Sequence, residues 1–566
     1  MGLLSILAFV WRLGSPGLFD FNEGLYVQAA REMAIRHDWI TGTVNGVPFY
    51  DKPPLALWCA VLSFMLFGFT EFAARFPVAL AGIGMTVLTY ALGRAIFGRS
   101  AARFAAAFVA LNPMALGTAR QMTMDIHQSF WVASAMAAFY AAERSQGRKQ
   151  ILFALTFCAS CGLGFMAKSF PGLLPLVIVG IYVAIVTRLR FAELTRYARA
   201  LRPILGMAIL AVVVAPWHIA AYQRSGAFFV AEYWTHHHVG LLKATEFDHA
   251  QPLWYYIPML LIGFFPWGFL LPFSDVTRAT LRVSDDAARG RLLILLWAAV
   301  TFLAFTAMRS KLISYLLPMY PACAILAASA VARQASPRRA RVMAAVWGLI
   351  GLALIAALAI VHWRLLPMAR ETTDPEALAL ITPEMTRVAY LIPATLGAAL
   401  LAAAVAGWRD SRRGAAWAVG GMAAFTFIAW EVGVPAYDRA VNMPLRHIAA
   451  EAGARFDRDT PLVVHIGRPR RPSVFFYLPD YTFHRLLVPN RRDPILLETW
   501  DSEPVRAFVA GHRSVYILAD HNHGMETLAS IPSARVVLRS ARWTLFHVLA
   551  PAGARPPHQP AGRSSR

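Results

Sequence analysis

Long apolar runs separated by short polar connections fill the first three quarters of the chain. An α-helix needs about 20 apolar residues to cross the ~30 Å hydrocarbon core of a bilayer, and most of these runs approach that length. The pattern predicts about thirteen membrane-spanning helices, at residues 1–19, 75–97, 101–118, 127–143, 150–167, 170–187, 203–222, 252–273, 292–308, 312–332, 342–362, 388–407 and 414–436. Residues 1–437 are therefore predicted to form an all-α polytopic membrane domain.

The pattern changes at about residue 438, where the apolar runs shorten to the length of single β-strands. Such pieces occur at residues 461–466, 473–477, 514–518, 534–538 and 543–548, with a segment of helical potential at 503–510. This pattern predicts a small α/β domain over residues 438–550. Residues 551–566 are rich in Pro, Gly, Arg and Ser and are predicted to be disordered.

The composition excludes a soluble globular protein, because 57% of the 566 residues are hydrophobic and only 15% are charged. Soluble domains are about a quarter charged. A net charge of +22 would favour nucleic-acid binding in a soluble chain. In a membrane protein, the distribution of that charge among the loops is more informative.

The arginines are concentrated in alternate connections, after the second, fourth, sixth, eighth, tenth and twelfth predicted spans. The connection after the sixth span, for example, carries Arg188, Arg190, Arg196, Arg199 and Arg202. By the positive-inside rule these connections face the cytoplasm. The alternate loops, of which residues 20–74, 223–251 and 363–387 are long, and the C-terminal domain are then expected to face outward.

One further apolar stretch, residues 54–69, tests this topology. If it crossed the membrane, every later loop would change sides and the arginine clusters would lie outside. We therefore predict an interfacial or re-entrant helix on the outer face, together with residues 25–38.

The first outer loop collects polar residues at two turns, each of which precedes a predicted helix. The first turn carries Asp20, Asn22 and Glu23, and the second carries Asp51 and Lys52. Polar residues at a membrane boundary cost free energy, so this concentration indicates a function. A carboxylate at a helix start, such as Glu23, is kept ionised by the helix dipole. The structural alternative is that Asn22 caps the helix and Asp51 pairs locally with Lys52.

Other outer connections add more charged and polar residues. These are Arg120, Asp125, His127, Lys168, His236, His237, His238, Lys243, Glu246, Asp248, His249, Arg309, Lys311 and Tyr315. Cations on the outer face run against the positive-inside bias, so we expect them to bind an anion such as a phosphate at the membrane surface. Lys311 and Tyr315 are spaced i, i+4 and share a helix face, although a lysine at a helix end can also snorkel to the interface.

The three consecutive histidines allow two interpretations. They cannot all point one way on a helix, so at most one could join a carboxylate of the first loop as a metal ligand. Ordinary polar loop histidines are the alternative. A divalent metal at such a pair is the one cofactor that the sequence leaves open.

The order of these features resembles the bacterial membrane glycosyltransferases of the GT-C type. This group contains the lipid A aminoarabinose transferases and, more distantly, the protein O-mannosyltransferases. Its first outer loop carries an Asp-Glu pair, then Tyr-x-x-x-x-Arg-Glu-Met and an acidic residue before Lys-Pro. The matching residues here are Asn22, Glu23, Tyr26, Arg31, Glu32, Met33, Trp39, Tyr50, Asp51, Lys52, Pro53 and Pro54, with support over residues 18–320 from Asp125, Lys168, Pro252, Pro266, Trp267, Ser310, Lys311, Tyr315 and Pro318.

The resemblance implies transfer of a sugar from an undecaprenyl-phosphate donor to a lipid or glycan acceptor, with inversion at the anomeric carbon. It places the reaction on the periplasmic face of the bacterial inner membrane. It implies that Lys52 contacts the donor phosphate, helped by Lys168, Lys311 and Tyr315, since cations stabilise the departing lipid phosphate. It also makes Asp51 and His237 the pair to test for metal binding, because their counterparts in relatives face one another.

The chain departs from the family at the catalytic position, where the family's aspartate is Asn22. An amide cannot take a proton from an acceptor hydroxyl. The base is then Glu23, which we prefer, or Asp20, with Asp125 as a further catalytic candidate. Otherwise the acceptor is a phosphate oxygen that needs no strong base, or the protein has lost its activity.

The leading hypothesis is a glycosyltransferase acting on lipid A or another envelope lipid or glycan. A protein O-glycosyltransferase resembling the O-mannosyltransferases is the alternative within the same class. A transporter or flippase for a polyprenyl lipid is the alternative of another class. It would carry charged residues near the middle of the spans and an internal repeat, and neither is clear in the sequence.

Overall fold

A computed structural model describes residues 2–44, 46–240, 251–276, 280, 283, 285–333, 337–365, 367, 368, 382–455, 462–465, 473–478, 514–520, 533–540 and 543–549. The predicted helix at 503–510 and the predicted disordered tail at 551–566 lie outside these residues, as do Lys243, Glu246, Asp248 and His249.

Helices form nearly all of the membrane domain. The first ten are α1 (Gly2–Val10), α2 (Asn22–Arg36), α3 (Leu55–Phe67), α4 (Glu71–Ala110), α5 (Pro113–Thr118), α6 (Met124–Glu143), α7 (Gly147–Lys168), α8 (Leu174–Thr187), α9 (Phe191–Leu201) and α10 (Pro203–Phe229). The later helices are Tyr256–Gly263, Asp286–Ala307, Tyr320–Ala332, Pro337–Ile360, Pro383–Gly407, Ser411–Ile428, Val434–Val441 and Met443–Arg455. A polytopic all-α membrane domain is confirmed.

The predicted number of thirteen spans is not confirmed by the described residues. Among the described residues, nine helices are long and apolar enough to cross a membrane, or ten if a bent pair counts as one span. That pair, Leu253–Gly263 and Trp267–Phe273, bends by 109°. At the start of the chain, α1 has only 9 residues and is about 14 Å long, too short to cross a bilayer.

Two predicted spans, 75–97 and 101–118, are joined in α4. The 40-residue helix is interrupted at Gly98, where φ is 85°. Glycine adopts this conformation without a steric penalty, so the chain reverses there in a tight turn. The N-terminus of α4 is capped by Thr70, whose hydroxyl accepts a hydrogen bond from the N–H of Ala73.

The helix α3 follows the first outer loop and has 13 residues. Its length of about 20 Å is less than the ~30 Å hydrocarbon core. A helix of this length fits the predicted interfacial or re-entrant segment better than a span.

The C-terminal region contains a four-stranded sheet. Its strands are β3 (Leu462–His465), β4 (Ser514–Asp520), β5 (Ala534–Arg539) and β6 (Trp543–Leu549), while β1 (Thr43–Val44) and β2 (Val47–Pro48) form a small hairpin in the first outer loop. The sheet order is β3-β4-β6-β5, with β3 parallel to β4 and the other pairs antiparallel. The strand prediction at residues 473–477 was wrong, because Ser473–Tyr477 is a helix whose buried side chains pack into the small core.

This C-terminal region is attached by direct hydrogen bonds to the residues that immediately precede the first outer loop. The hydroxyl of Tyr477 accepts a hydrogen bond from the N–H of Leu18 at 2.6 Å, and Asp438 accepts one from Gly17 at 2.7 Å. The first loop is thus fixed by residues more than 400 positions away in sequence.

Candidate functional site

A cavity of about 450 Å³ lies at the end of α7, beside the helix Asp286–Ala307. Its lining combines two lysines and a histidine with apolar side chains: Lys52, Gln128, Lys168, Ser169, Phe170, Pro171, Leu174, His237, Ala304, Phe305, Met308, Ser310 and Tyr315. We call it the lysine cavity. It brings together three predicted phosphate-binding residues, Lys52, Lys168 and Tyr315, and one predicted metal ligand, His237.

Two neighbouring helix ends position Lys168. It is the last residue of α7, and Asp125 lies in the first turn of α6. The Nζ atom of Lys168 is 2.5 Å from Oδ1 of Asp125 and 4.5 Å from the centre of the Tyr315 ring. The two charged side chains are only 12% and 17% exposed. The ammonium is therefore held at the cavity wall by a carboxylate on one side and an aromatic face on the other.

The second turn of the first loop forms a hydrogen-bonded cluster around Asp51. Its Oδ1 atom lies 2.5 Å from Nζ of Lys52 and 2.9 Å from Nδ1 of His237. Its Oδ2 atom accepts a hydrogen bond of 2.5 Å from the hydroxyl of Tyr26. The local pairing of Asp51 with Lys52 is thus observed, and it leaves Lys52 at the cavity wall.

These contacts fix the protonation of the cluster. Burial raises the pKa of Asp51, but Lys52 and His237 outweigh burial and hold this pKa well below its usual range. Burial and the charge of Asp51 raise the pKa of Tyr26 well above its ordinary value. Asp51 therefore stays ionised, and Tyr26 stays protonated and donates.

The predicted metal pair is in contact, but the described residues around it do not fit a metal ion. The ammonium of Lys52 is already 2.5 Å from the carboxylate oxygen that faces His237, so a metal would have to displace it. Within the described residues, no group of three His, Cys, Asp or Glu side chains could hold a metal ion. Asp51 thus contacts both Lys52 and His237 through the same oxygen.

Glu23, the preferred candidate for the base, lies outside the cavity lining and is 1% exposed. Its carboxylate accepts hydrogen bonds from Nε and Nη2 of Arg75 at 2.8 and 2.7 Å. The N–H groups of Phe19 and Met122 donate at 2.7 and 2.9 Å. A buried carboxylate with four donors has no position left for a substrate proton. This placement argues against Glu23 as the base and favours a positioning role.

Asp20 and Asn22 also lie outside the cavity lining. Asp20 accepts hydrogen bonds from the hydroxyl and the N–H of Ser473, the latter at 2.9 Å. Asn22 is exposed at the start of α2, and this helix has no side-chain cap. A Cβ atom on Gly24 would lie 2.6 Å from the backbone N of Ser473. Glycine is therefore needed at position 24 for α2 to lie this close to Ser473.

Lys311 is the predicted phosphate ligand that the structure does not bring to the cavity. It is 2% exposed, and its Nζ atom donates to the backbone oxygens of Gln251, at 3.0 Å, and Met308. The ammonium group thus provides the hydrogen bonds that two carbonyl groups at a break between helices would otherwise need from water. This placement favours a structural role for Lys311 rather than phosphate binding.

Two residues of the site escaped sequence reasoning. Arg75 is the first residue of a predicted span, where an arginine could have signalled a buried partner. Gln128 lines the cavity, is 2% exposed, and its Nε2 atom has no hydrogen-bond partner among the described residues. The spacing i, i+3 from Asp125 places both on one face of α6, which is the signal that could have identified it.

The chain is similar to known proteins over much of its length. Residues 51–219 match the family model described as dolichyl-phosphate-mannose-protein mannosyltransferase. The undecaprenyl phosphate-alpha-4-amino-4-deoxy-L-arabinose arabinosyl transferase of Aeromonas salmonicida is 31% identical over 63% of this chain and 64% of its own length. A transferase of the same name from Proteus mirabilis is 28% identical over 64% of this chain and 65% of its own length. The chain thus spans slightly less than two thirds of these curated relatives.

Among solved structures, ArnT from Cupriavidus metallidurans bound to undecaprenyl phosphate has a TM-score of 0.75 to this chain at 21% identity. The match covers 98% of both chains. The likeness shows that the two chains share one fold, including the C-terminal sheet region.

Proposed function

We propose that this chain is a bacterial GT-C membrane glycosyltransferase, in the group of the lipid A aminoarabinose transferases and protein mannosyltransferases, and that it transfers a sugar from a polyprenyl-phosphate donor to an envelope lipid or glycan. Lipid A is the acceptor that we favour, because the curated relatives are transferases of an aminoarabinose carried on undecaprenyl phosphate.

The observation that carries the proposal is the convergence of Lys52 and Lys168 on one cavity with apolar walls. A polyprenyl phosphate has the same two parts, a charged head and an apolar chain. Phe170, Leu174 and Phe305 supply the apolar contact, and the two ammonium groups supply the positive charge. The crystal structure of ArnT from Cupriavidus metallidurans, which has the same fold, contains undecaprenyl phosphate, a ligand of this class.

The lysines act where the transition state gains charge. An acceptor oxygen bonds to the anomeric carbon while the bond from that carbon to the donor phosphate oxygen breaks. The electron pair leaves on the polyprenyl phosphate, whose growing charge Lys52 and Lys168 stabilise. Asp51 and Asp125 orient these lysines through the contacts described above.

The proton of a hydroxyl acceptor needs a base near this cavity. Asp51 suits the task poorly, because its depressed pKa makes it a weak base. Asp125 is the carboxylate we assign to it, with Lys168 as its partner. If the acceptor is a phosphate oxygen, as on lipid A, no proton has to be removed and Asp125 only positions Lys168.

The match of residues 51–219 to the mannosyltransferase family model supports a second candidate acceptor, a protein serine or threonine. The two acceptors are distinguished by where the sugar mass appears. A deletion strain would lose the mass either from lipid A spectra or from envelope glycopeptides.

The decisive experiment uses the purified full chain in detergent with an undecaprenyl-phosphate-linked sugar and lipid A. A product of increased mass, formed by the wild type and lost on Lys52→Ala, supports the proposal. Purified protein that transfers no sugar to lipid, glycan or protein acceptors would overturn it. Transfer in detergent would also exclude a pure transporter, since no membrane separates two compartments.

We also propose that the protein lies in the bacterial inner membrane with the lysine cavity on the periplasmic side. Single cysteines can test this in a Cys59→Ser background. Gln223→Cys, near the cavity end of α10, should react with an impermeant maleimide in intact spheroplasts. Gln146→Cys, in the arginine-rich connection before α7, should react only after permeabilisation, and the reverse pattern would invert the topology.

A further inference from the structure

A second cavity, of about 440 Å³, lies at the opposite end of the helices that form the lysine cavity. The helices α6 and α7 carry Asp125 and Lys168 at one end and Glu143 and Gln150 at the other. With 20 and 22 residues they are about 30 Å long, which is the thickness of the hydrocarbon core. The second cavity therefore lies at the opposite membrane interface, which the positive-inside rule assigns to the cytoplasm.

Arginines dominate the charge of this second cavity, which we call the arginine cavity. Its charged lining residues are Arg188, Arg190, Arg196, Arg289, Glu143 and Glu193, an excess of two positive charges. Among the described residues, Arg188, Arg190 and Arg289 form no ion pair with a carboxylate. An anion entering the cavity would find guanidinium groups that are not already neutralised.

The carboxylate of Glu143 accepts hydrogen bonds from tyrosines rather than pairing with arginines. The hydroxyl of Tyr182 lies 2.7 and 2.8 Å from its two carboxylate oxygens, and the hydroxyl of Tyr197 lies 2.7 Å from one of them. These bonds tie α9, through Tyr197, to the ends of α6 and α8. The wall of the cavity is thus fixed in place without using its arginines.

The wall itself, α9, is an amphipathic helix in which no residue is buried. Glu193, Arg196 and Tyr197 face the cavity, while Phe191 is 81% exposed. Leu189, just before the helix, is 69% exposed. A helix with a basic polar face and exposed apolar residues lies in the plane of the membrane interface.

We propose that the arginine cavity binds the phosphate headgroup of an anionic membrane phospholipid, with the lipid's acyl chains beside Leu189 and Phe191. Planar guanidinium groups match phosphate oxygens in two-point hydrogen bonds. Basic pockets between membrane helices on the cytoplasmic side are typical sites for anionic headgroups. A free phosphate shares the headgroup chemistry but would not use the exposed apolar residues, which is why the lipid is the ligand.

Native mass spectrometry of the full chain in detergent tests this inference without measuring sugar transfer. Phosphatidylglycerol and phosphatidylcholine with identical acyl chains serve as probes. The wild type should retain phosphatidylglycerol in preference to phosphatidylcholine. The double variant Arg188→Gln/Arg190→Gln should bind phosphatidylglycerol about tenfold more weakly or worse, because hydrogen bonds to a charged group are lost.

The matched control is Arg338→Gln/Arg339→Gln, which removes the same charge from another predicted cytoplasmic connection. It should bind phosphatidylglycerol like the wild type. An equal loss of binding in this control would show that the effect depends only on surface charge, and it would overturn the proposed site. Phe191→Ser tests the acyl contact and keeps every arginine. It should weaken phosphatidylglycerol binding several-fold in a protein with an unchanged melting temperature.

Inorganic phosphate distinguishes the two sources of the anion. Millimolar phosphate should leave phosphatidylglycerol bound to the wild type. Full displacement of the lipid by phosphate, or unchanged lipid binding in both cavity variants, would contradict the proposal.

Discussion

Arg75 and Glu23 form a buried two-point ion pair that ties the start of α4 to the first turn of the outer loop. Both side chains are at most 1% exposed. The pair also organises backbone, since Arg75 donates to the carbonyl oxygens of Leu13, Pro16 and Gly17. This geometry supports a positioning role for Glu23 in the loop that carries Lys52.

We predict that Glu23→Gln destabilises the protein by about 3–5 kcal/mol, because it leaves the charge of Arg75 buried without its partner. Thermal unfolding in detergent measures the effect. The exposed pair Arg12–Glu431 provides the control, and Arg12→Gln should cost about 1 kcal/mol or less. A Glu23→Gln protein of unchanged stability and abolished transfer would restore Glu23 as the base.

The two cavity lysines are expected to affect transfer rather than folding. Lys52→Ala and Lys168→Ala should each lower kcat/KM for the donor by about 10²–10³-fold, as for other preorganised charges that stabilise a leaving group. Lys149→Ala is the matched control, because Lys149 is exposed at the other end of α7. Steady-state kinetics with a fluorescent donor measures all three variants. A similar loss in the control would disprove the specific role.

We predict that Gln128 donates a hydrogen bond to the bound sugar donor. Without substrate, this residue should destabilise the protein. Its Nε2 atom is buried without a partner among the described residues, so Gln128→Leu should leave the melting temperature unchanged or raise it. The same variant should raise the KM for the donor about tenfold, since a hydrogen bond to a charged ligand is lost. A lowered melting temperature together with an unchanged KM would show that Gln128 is only structural.

The Asp51 cluster predicts a pH dependence of stability. The folded pKa of Asp51 lies below the ordinary value of 3.8, so its stabilising effect is fully present above that value and is lost as the pH falls through the folded pKa. The melting temperature of the wild type should exceed that of Asp51→Asn at neutral pH. The difference should shrink below about pH 4. A difference that does not shrink below about pH 4 would contradict the assigned pKa direction.

The contact between Tyr477 and Leu18 predicts a long-range effect of the C-terminal region on the site. Tyr477→Phe leaves the N–H of the fully buried Leu18 without its acceptor, which should cost about 1–3 kcal/mol. Protease cleavage within the first outer loop should become faster. The control Tyr222→Phe changes an exposed tyrosine and should alter neither quantity. Unchanged proteolysis in Tyr477→Phe would separate the C-terminal region from the loop.

The apolar pattern predicted most helices of the membrane domain because membrane helices need long apolar segments regardless of their neighbours. It failed where local sequence is ambiguous. The pentapeptide Ser473–Tyr477 is apolar enough for either a strand or a helix, and its packing against α2 determines which one forms. The reversal at Gly98 depends on one positive φ angle, which composition does not reveal.

The structure brings some of the predicted site residues to one cavity and leaves others outside it. Lys52, Lys168, Tyr315 and His237 meet at one cavity. Glu23 and Lys311 were selected as charged residues near the outer face, but their partners are Arg75 and two backbone carbonyl groups. Such partners are determined by tertiary contacts between segments far apart in sequence, so no local sequence pattern predicts them.

The hydrogen bonds that join Leu18 and Asp20 to Tyr477 and Ser473 also set an order of events during synthesis. The first outer loop is made early, but its anchors leave the ribosome only after more than 450 further residues. A nascent chain can therefore insert its helices long before the loop that carries Lys52 acquires all its contacts. A product truncated before Ser473 is therefore expected to insert its helices but to lack these contacts of the loop.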